Sequence, residues 1–124
     1  MVGRVLVVDD EEDIGEAVKT LLEKHDIEVI VVDNGKDCIR ELAKGFKGVV
    51  LIDIMMPGMD GWDTIKEIVE RGYIENVAIT IITGRGTRDH EKMMGLEPYI
   101  TDYLSKPFTI ETLLSSLQRS FSTL

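Results

Sequence analysis

Three aspartates, a threonine and a lysine stand where apolar runs end, and their types suit them to hold a cation and a phosphate. Arg4-Val5-Leu6-Val7-Val8 is followed by Asp9 and Asp10, and Gly48-Val49-Val50-Leu51-Ile52 by Asp53. Val77–Ile82 leads into Thr83, and Asp102-Tyr103-Leu104-Ser105 into Lys106-Pro107. Carboxylates brought together repel, and their pKa values rise unless a cation sits among them. Oxygen ligands with no nearby His or Cys select a hard ion, and Mg2+ is the natural choice. Lys106 supplies a compact positive charge for a phosphate oxygen. Thr83 supplies a small hydroxyl donor, and Gly84 beside it leaves room for a ligand. Asp53 precedes the loop Ile54-Met55-Met56-Pro57-Gly58-Met59-Asp60-Gly61, so its side chain can project at the sheet edge. With incoming phosphoryl oxygens neutralised by Mg2+, such an Asp can act as nucleophile and become an aspartyl phosphate. Asp9 and Asp10 are then the metal holders.

That chemistry requires the run ends to meet, and the elements supply the means. Strand-like runs are Arg4–Val8, Ile27–Val32, Gly48–Asp53, Val77–Ile82 and Asp102–Ser105, with helical patterns between them. Ile14, Ala17, Val18, Leu21 and Leu22 form one apolar stripe at helical spacing. The second helix carries Ile39, Leu42, Ala43 and Phe46, and the third Trp62, Ile65, Ile68 and Val69. The last carries Ile110, Leu113, Leu114, Leu117 and Phe121, with Thr109 as its cap. Strand–helix alternation implies an α/β fold: a parallel sheet with right-handed crossovers and helices on both faces. The nearly continuous apolar strands fit burial on both faces. In such a sheet, ligands sit outside the carboxyl ends of the strands, where the strand order switches. Thr87–Thr101 is the weak segment. Met93, Met94 and Leu96 suggest a short fourth helix, broken by Gly95 and Pro98, with an irregular lead into the fifth strand. Ser115–Leu124 reads as partly helix and partly tail.

Composition bounds the function. The 124 residues suit one domain, expected over residues 3–122, with 44% hydrophobic and 30% charged residues. No apolar stretch is long enough to span a membrane. Arg4, Asp9 and Asp10 interrupt any N-terminal signal peptide too early. The single cysteine, Cys38, excludes an intrachain disulfide and fits a reducing cytoplasm. The net charge of −9 argues against direct nucleic-acid binding by this chain.

Each feature also has a plainer reading. An Asp-Asp pair after a strand commonly makes a turn or a helix N-cap. Glu11, Glu12 and Asp13 can simply favour the first helix through its dipole. Conjunction with Asp53 and Lys106 is what favours a metal site. Cys38 reads as a small packing residue, Trp62 as a packing anchor, and His25 and His90 as exposed. The methionines at 55, 56, 59, 93 and 94 read mostly as core or surface filler.

Taken together, Val-Val-Asp9-Asp10, Leu-Ile-Asp53-Ile-Met-Met-Pro-Gly-Met-Asp-Gly, Ile-Ile-Thr83-Gly and Tyr103-Leu-Ser-Lys106-Pro107-Phe108 resemble the receiver domain of two-component response regulators. The resemblance implies a flavodoxin-like (βα)5 fold with strand order 2-1-3-4-5. It also implies phosphotransfer from a histidine kinase or histidine phosphotransfer protein, and signalling without enzymatic turnover. By position, Asp53 is then the phosphoacceptor. Asp10 and Asp53 are Mg2+ ligands, joined by the Met55 backbone carbonyl, and Asp9 orients the metal's water shell. Thr83 and Lys106 bind the phosphoryl group. Tyr103 matches an aromatic switch that turns inward when Thr83 moves. The expected output is a changed surface on the fourth helix, fifth strand and fifth helix, offered to an output domain or protein or to a second copy as a homodimer. Gly84 stands where a small Ala is usual. Met55 and Arg85 occupy positions that tune phosphate lifetime, and an apolar Met predicts slow self-hydrolysis.

Rival functions fare less well. An aspartyl-nucleophile phosphohydrolase usually places a second acid two residues after the nucleophile, and position 55 is Met. A flavin-binding module wants a Ser/Thr/Gly phosphate loop after the first strand, whereas Asp-Asp-Glu-Glu-Asp repels phosphate. A pseudo-receiver used only for docking does not need the intact acids and Lys106.

Overall fold

The computed structural model describes residues 3–84 and 90–124, the side chain of His90 excepted. Five strands, β1 (Gly3–Val8), β2 (Ile27–Val32), β3 (Gly48–Asp53), β4 (Val77–Thr83) and β5 (Ile100–Ser105), form one parallel sheet in the order β2-β1-β3-β4-β5. Helices α1 (Glu12–Glu23), α2 (Gly35–Ala43), α3 (Gly61–Glu70), α4 (His90–Met93) and α5 (Ile110–Phe121) connect them. The parallel sheet is what the alternating pattern implies, and the flavodoxin-like strand order is what the resemblance implies.

Period-two alternation divides the core. Leu6, Val8, Val50, Ile52, Ile79 and Ile81 face one side, where α2 and α3 contribute Cys38, Leu42, Trp62, Ile65 and Ile68. Val5, Val7, Val49, Leu51 and Ile82 face the other, against Val18 and Leu22 of α1 and Leu113 and Leu117 of α5. Central strands covered on both faces need apolar residues at every position, which is why β1 and β3 read as unbroken runs. The exception in β4 is Thr80, fully buried, whose hydroxyl lies 2.7 Å from that of Ser120 on α5. The pairing satisfies both groups.

Several expectations change in detail. Phe46 lies beyond α2, because Gly45 adopts a left-handed conformation (φ 101°) and ends the helical path, yet Phe46 remains in the core. The lead into β5 is a single 3-10 turn, Glu97–Tyr99, and the strand starts at Ile100, two residues before the expected Asp102. Its pairing with β4 shifts register between Ile79 and Thr80, which disguises the first residues in the sequence. Helix α4 is short, as expected, with Met93 buried and Met94 exposed. Helix α5 runs unbroken to Phe121, so the tail is confined to the last residues, and Thr109 caps the helix by accepting from Thr112 N–H at 3.1 Å. The α1 stripe is only half used: Val18 and Leu22 are buried, but Ala17 and Leu21 remain exposed. Cys38 is fully buried, and burial pushes its thiol up to about 12, the mark of an unreactive packing residue. His25 is exposed. Arg85 and residues 87–89 lie outside the described residues, as does the His90 side chain. Among the described residues, no helix is long and apolar enough to cross a membrane.

Candidate functional site

The chain passes from β1 out to β2 and then crosses to β3 on the other side, so β1 and β3 flank the point where the strand order reverses. A crevice opens there at their carboxyl ends. Asp9 follows β1 and Asp53 ends β3, and both are almost wholly buried.

The two aspartates are held in the same way. Asp9 Oδ1 accepts a hydrogen bond from Glu11 N–H, and Asp53 Oδ1 accepts one from Met55 N–H, both at 2.9 Å. Each side chain thus closes a turn on its own loop. The turn-forming reading of Asp9 is therefore correct: one oxygen serves the turn and the other faces the crevice. Asp10 is exposed at the rim. Oxygens from Asp9, Asp10 and Asp53 lie within 4.8 Å of one another.

Gly61 sets the far wall. Its N–H donates to Ile54 O at 3.0 Å. A Cβ at this position would stand 2.6 Å from both Asp53 O and Ile54 Cα. The start of α3 therefore packs backbone on backbone against the residue that carries the carboxylate.

Lys106, just past β5, reaches into the cluster. Its backbone N–H donates to Thr83 O at 2.8 Å, extending the β4–β5 ladder to the site. Its Nζ donates to Asp53 Oδ2 at 2.9 Å and to Glu11 Oε1 at 3.3 Å, and lies 3.0 Å from Asp9 Oδ2. The Asp9 contact is an ion pair without hydrogen-bond alignment, so Asp9 Oδ2 is buried with no hydrogen bond from the described residues. Burial raises the Asp9 carboxyl above its ordinary value and neighbouring Asp53 adds to this, against the opposing pull of Glu11 N–H and Lys106. Burial alone would lower Lys106, but the Asp53 and Asp9 carboxylates more than offset it and hold the ammonium well above the usual lysine range.

This donor set fits a hard divalent cation. Among the described residues it is all oxygen, it carries more negative charge than one lysine can balance, and it includes a buried carboxylate oxygen without a hydrogen-bond partner.

Thr83 stands half-buried at the end of β4. Tyr103 lies on β5 opposite Ile81, half-buried against the core face shared with α2 and α3. The Met55 side chain is largely exposed. The structure thus gathers Asp9, Asp10, Asp53 and Lys106 into one cluster. Thr83 is tied to it through the Lys106 backbone, and Tyr103 is set farther down the same sheet edge.

Three participants were not read as site residues from the sequence. Glu11 is the N-cap residue of α1, but its side chain makes no cap bond and turns to Lys106 instead. Asp60 caps α3, accepting from Asp63 N–H at 2.9 Å, and pairs with Lys92 of α4 at 2.5 Å. Lys92 and the Asp63 N–H outweigh burial and hold the Asp60 carboxyl below its usual range. That pair ties the loop after β3 to α4. Asp60 had a readable signal, an Asp three residues before an Asp at a helix start. The reach of Glu11 had none, since it depends on a lysine far along the chain.

Known proteins share this framework. Residues 5–118 match the family model described as the response regulator receiver domain. A CheY-like response regulator receiver domain protein from Methanospirillum hungatei is 44% identical and superposes with a TM-score of 0.92, over 98% of this chain and 95% of that one. The chemotaxis protein CheY4 of Vibrio cholerae is 29% identical with a TM-score of 0.84, over 97% of this chain and 99% of that one. A transcriptional regulatory protein, a CpxR homolog of Haemophilus influenzae, is 34% identical over 94% of this chain and 49% of its own length. The chain spans about half the length of the curated relatives it matches. The chain belongs to the response regulator receiver domain family, the signal-receiving unit of two-component systems.

Proposed function

We propose that the protein, acting through a single receiver unit over residues 3–122, is a phosphorylation-controlled switch whose phosphoacceptor is Asp53. The observation that carries this reading is the setting of that carboxylate. It is buried at the end of a central strand, with one oxygen fixed by Met55 N–H and the other by Lys106 Nζ. The donor is a phosphohistidine on a kinase or phosphotransfer protein. An Asp53 oxygen attacks phosphorus as the P–N bond to the imidazole breaks, and the imidazole takes up a proton from solvent. Asp9, Asp10, Asp53 and the Met55 carbonyl would hold Mg2+, which would supply positive charge to offset that of the phosphoryl oxygens. Lys106 and Thr83 hold those oxygens from the protein side. Preorganised charge of this kind accounts for most of the acceleration in phosphoryl transfer.

The half-used α1 stripe supports a docking site for the donor. Ile14, Ala17 and Leu21 line an apolar groove of about 610 Å3 with Pro107 and Phe108, and Lys106 lies at its edge. A helix seated there would stand beside the acceptor. Phosphate on Asp53 then draws Thr83, and Tyr103 follows. The surface of α4, β5 and α5 changes for a downstream output partner or a second copy. In energetic terms the phosphate favours one of two populations by binding it better. The setting is the cytoplasm, where such kinases present their phosphohistidine.

Acetyl phosphate with Mg2+ tests the reading. Wild type gains one phosphoryl group by intact mass, and Asp53→Asn gains none. An adduct of equal yield on Asp53→Asn contradicts it.

Two further outcomes follow. Because the Asp9 carboxyl is raised, its share of folding stability is full below the ordinary carboxylate range and is lost as pH rises through the raised value. Mg2+ reverses this loss. At one hundred times its dissociation constant it stabilises the fold by about 2.7 kcal/mol at neutral pH. The gain shrinks on acidification, since protonated carboxyls are poor ligands, and thermal melts across a pH series measure it. The second outcome concerns lifetime. The Met55 thioether, exposed beside Asp53, has no strong donor or acceptor to orient an attacking water. The phosphorylated protein should persist for minutes or longer, whereas decay within seconds in Mg2+ would contradict this role for Met55.

A further inference from the structure

We infer that Glu11 is a positioning residue for Lys106, which it holds in the resting protein and must release before a phosphoryl group can be bound. The inference rests on Asp53 being the acceptor. A lysine ammonium has three donors. Here Nζ donates to Asp53 Oδ2 at 2.9 Å and to Glu11 Oε1 at 3.3 Å, and its remaining side is held by the ion pair with Asp9 Oδ2 at 3.0 Å. A phosphoryl oxygen on Asp53 needs one of the donors.

The three contacts differ in what it costs to give them up. Asp9 and Asp53 have side chains 0% and 3% exposed, and each is anchored by a backbone N–H. Before phosphoryl transfer, stripping Lys106 from either leaves a buried, less compensated charge. The Glu11 side chain is 60% exposed, its contact is the longest, and its carboxylate rehydrates on release. Glu11 is therefore the contact that yields.

Two more observations point the same way. Glu11 occupies the N-cap position of α1, yet its carboxylate is directed across the crevice and not to the helix N-terminus. Its backbone N–H holds Asp9 Oδ1 independently of the side chain. The residue is thus fixed on the rim while its carboxylate remains free to exchange. That carboxylate also places negative charge at the mouth where an anionic donor arrives. Both effects oppose phosphorylation.

The test uses the full chain with Mg2+ at low ionic strength, where exposed charges are least screened. Beryllofluoride, a phosphoryl mimic, is titrated against wild type, Glu11→Gln, Glu11→Ala and Glu12→Gln. Fluorescence of the single tryptophan, Trp62, and intact-protein NMR follow binding. Both Glu11 variants are expected to bind the mimic about fivefold tighter, the worth of one exposed charge a few ångströms away. Their phosphorylation by acetyl phosphate rises in parallel. Glu12→Gln removes the same charge from the same helical turn without touching Lys106, and stays within about twofold of wild type. Equal affinity in wild type and the Glu11 variants overturns the inference. So does an equal gain in Glu12→Gln, which would make the effect one of net charge. Absence of any adduct on wild type would instead defeat the phosphoacceptor reading beneath it.

Discussion

Lys106→Met is expected to slow phosphorylation of Asp53 about 100-fold and to destabilise the fold by about 3 kcal/mol in Mg2+-free buffer at neutral pH. The rate effect follows from removing a cationic donor at the place where charge develops on the phosphoryl oxygens. The stability effect follows from what remains. Among the described residues Asp9 and Asp53 stay buried with no cation between them, and Asp9 Oδ2 already lacks a hydrogen bond. The figure is at the low end for a broken buried pair because the Lys106 side chain keeps 16% of its surface exposed. In wild type the Lys106 pKa is raised in the folded state. Its contribution is thus full below the ordinary lysine range and is lost as pH rises through the raised value. In the variant the dependence moves to the acids: mild acidification or Mg2+ restores stability by neutralising the pair. Urea denaturation of both proteins, with and without Mg2+, measures this. An unchanged midpoint without Mg2+ would contradict this.

Gly61→Ala is expected to cost about 2–3 kcal/mol and to reduce phosphorylation about 10- to 100-fold. One methyl group does this because it meets backbone. The new Cβ would lie 2.6 Å from Asp53 O and from Ile54 Cα, and neither can rotate aside. Either α3 lifts away or the end of β3 shifts, and the second displaces the acceptor itself. Gly84→Ala is the matched comparison. Among the described residues a Cβ there has nothing within 4 Å, and no positive φ resists it. Its stability should stay within about 0.5 kcal/mol of wild type. Chemical denaturation and acetyl phosphate kinetics on both variants test the contrast. A tolerated Gly61→Ala would mean that the loop relaxes without moving Asp53.

The site was legible in the sequence where residue type and strand end coincide. Asp9, Asp10, Asp53, Thr83 and Lys106 each close an apolar run, and a parallel sheet brings such ends to one edge. The strands were legible for the same reason, since burial on both faces leaves an unbroken apolar run. What stayed hidden depended on partners distant in the chain or on backbone geometry. Thr80 is one polar residue within an otherwise apolar run, and its partner, Ser120, lies 40 positions away. Glu11 read as a charge favouring a helix, and only the fold brings it to Lys106. Lys92 gave no sign that it would pair with Asp60. The start of β5 was obscured by a register shift, and the end of α2 by a left-handed glycine before Phe46. Gly61 stood inside a recognised motif, but its close approach to Asp53 has no signature of its own.

Borohydride reduction tests the phosphoacceptor claim most directly. An aspartyl phosphate is an acyl phosphate, so hydride reduces it to an alcohol and the residue becomes homoserine. After treatment with acetyl phosphate and Mg2+, then borohydride and peptide mapping, homoserine should appear at position 53 alone, and it should vanish when Mg2+ is omitted. Homoserine at Asp9 or Asp10, or none at any aspartate despite a phosphoryl adduct on the intact protein, would contradict the account.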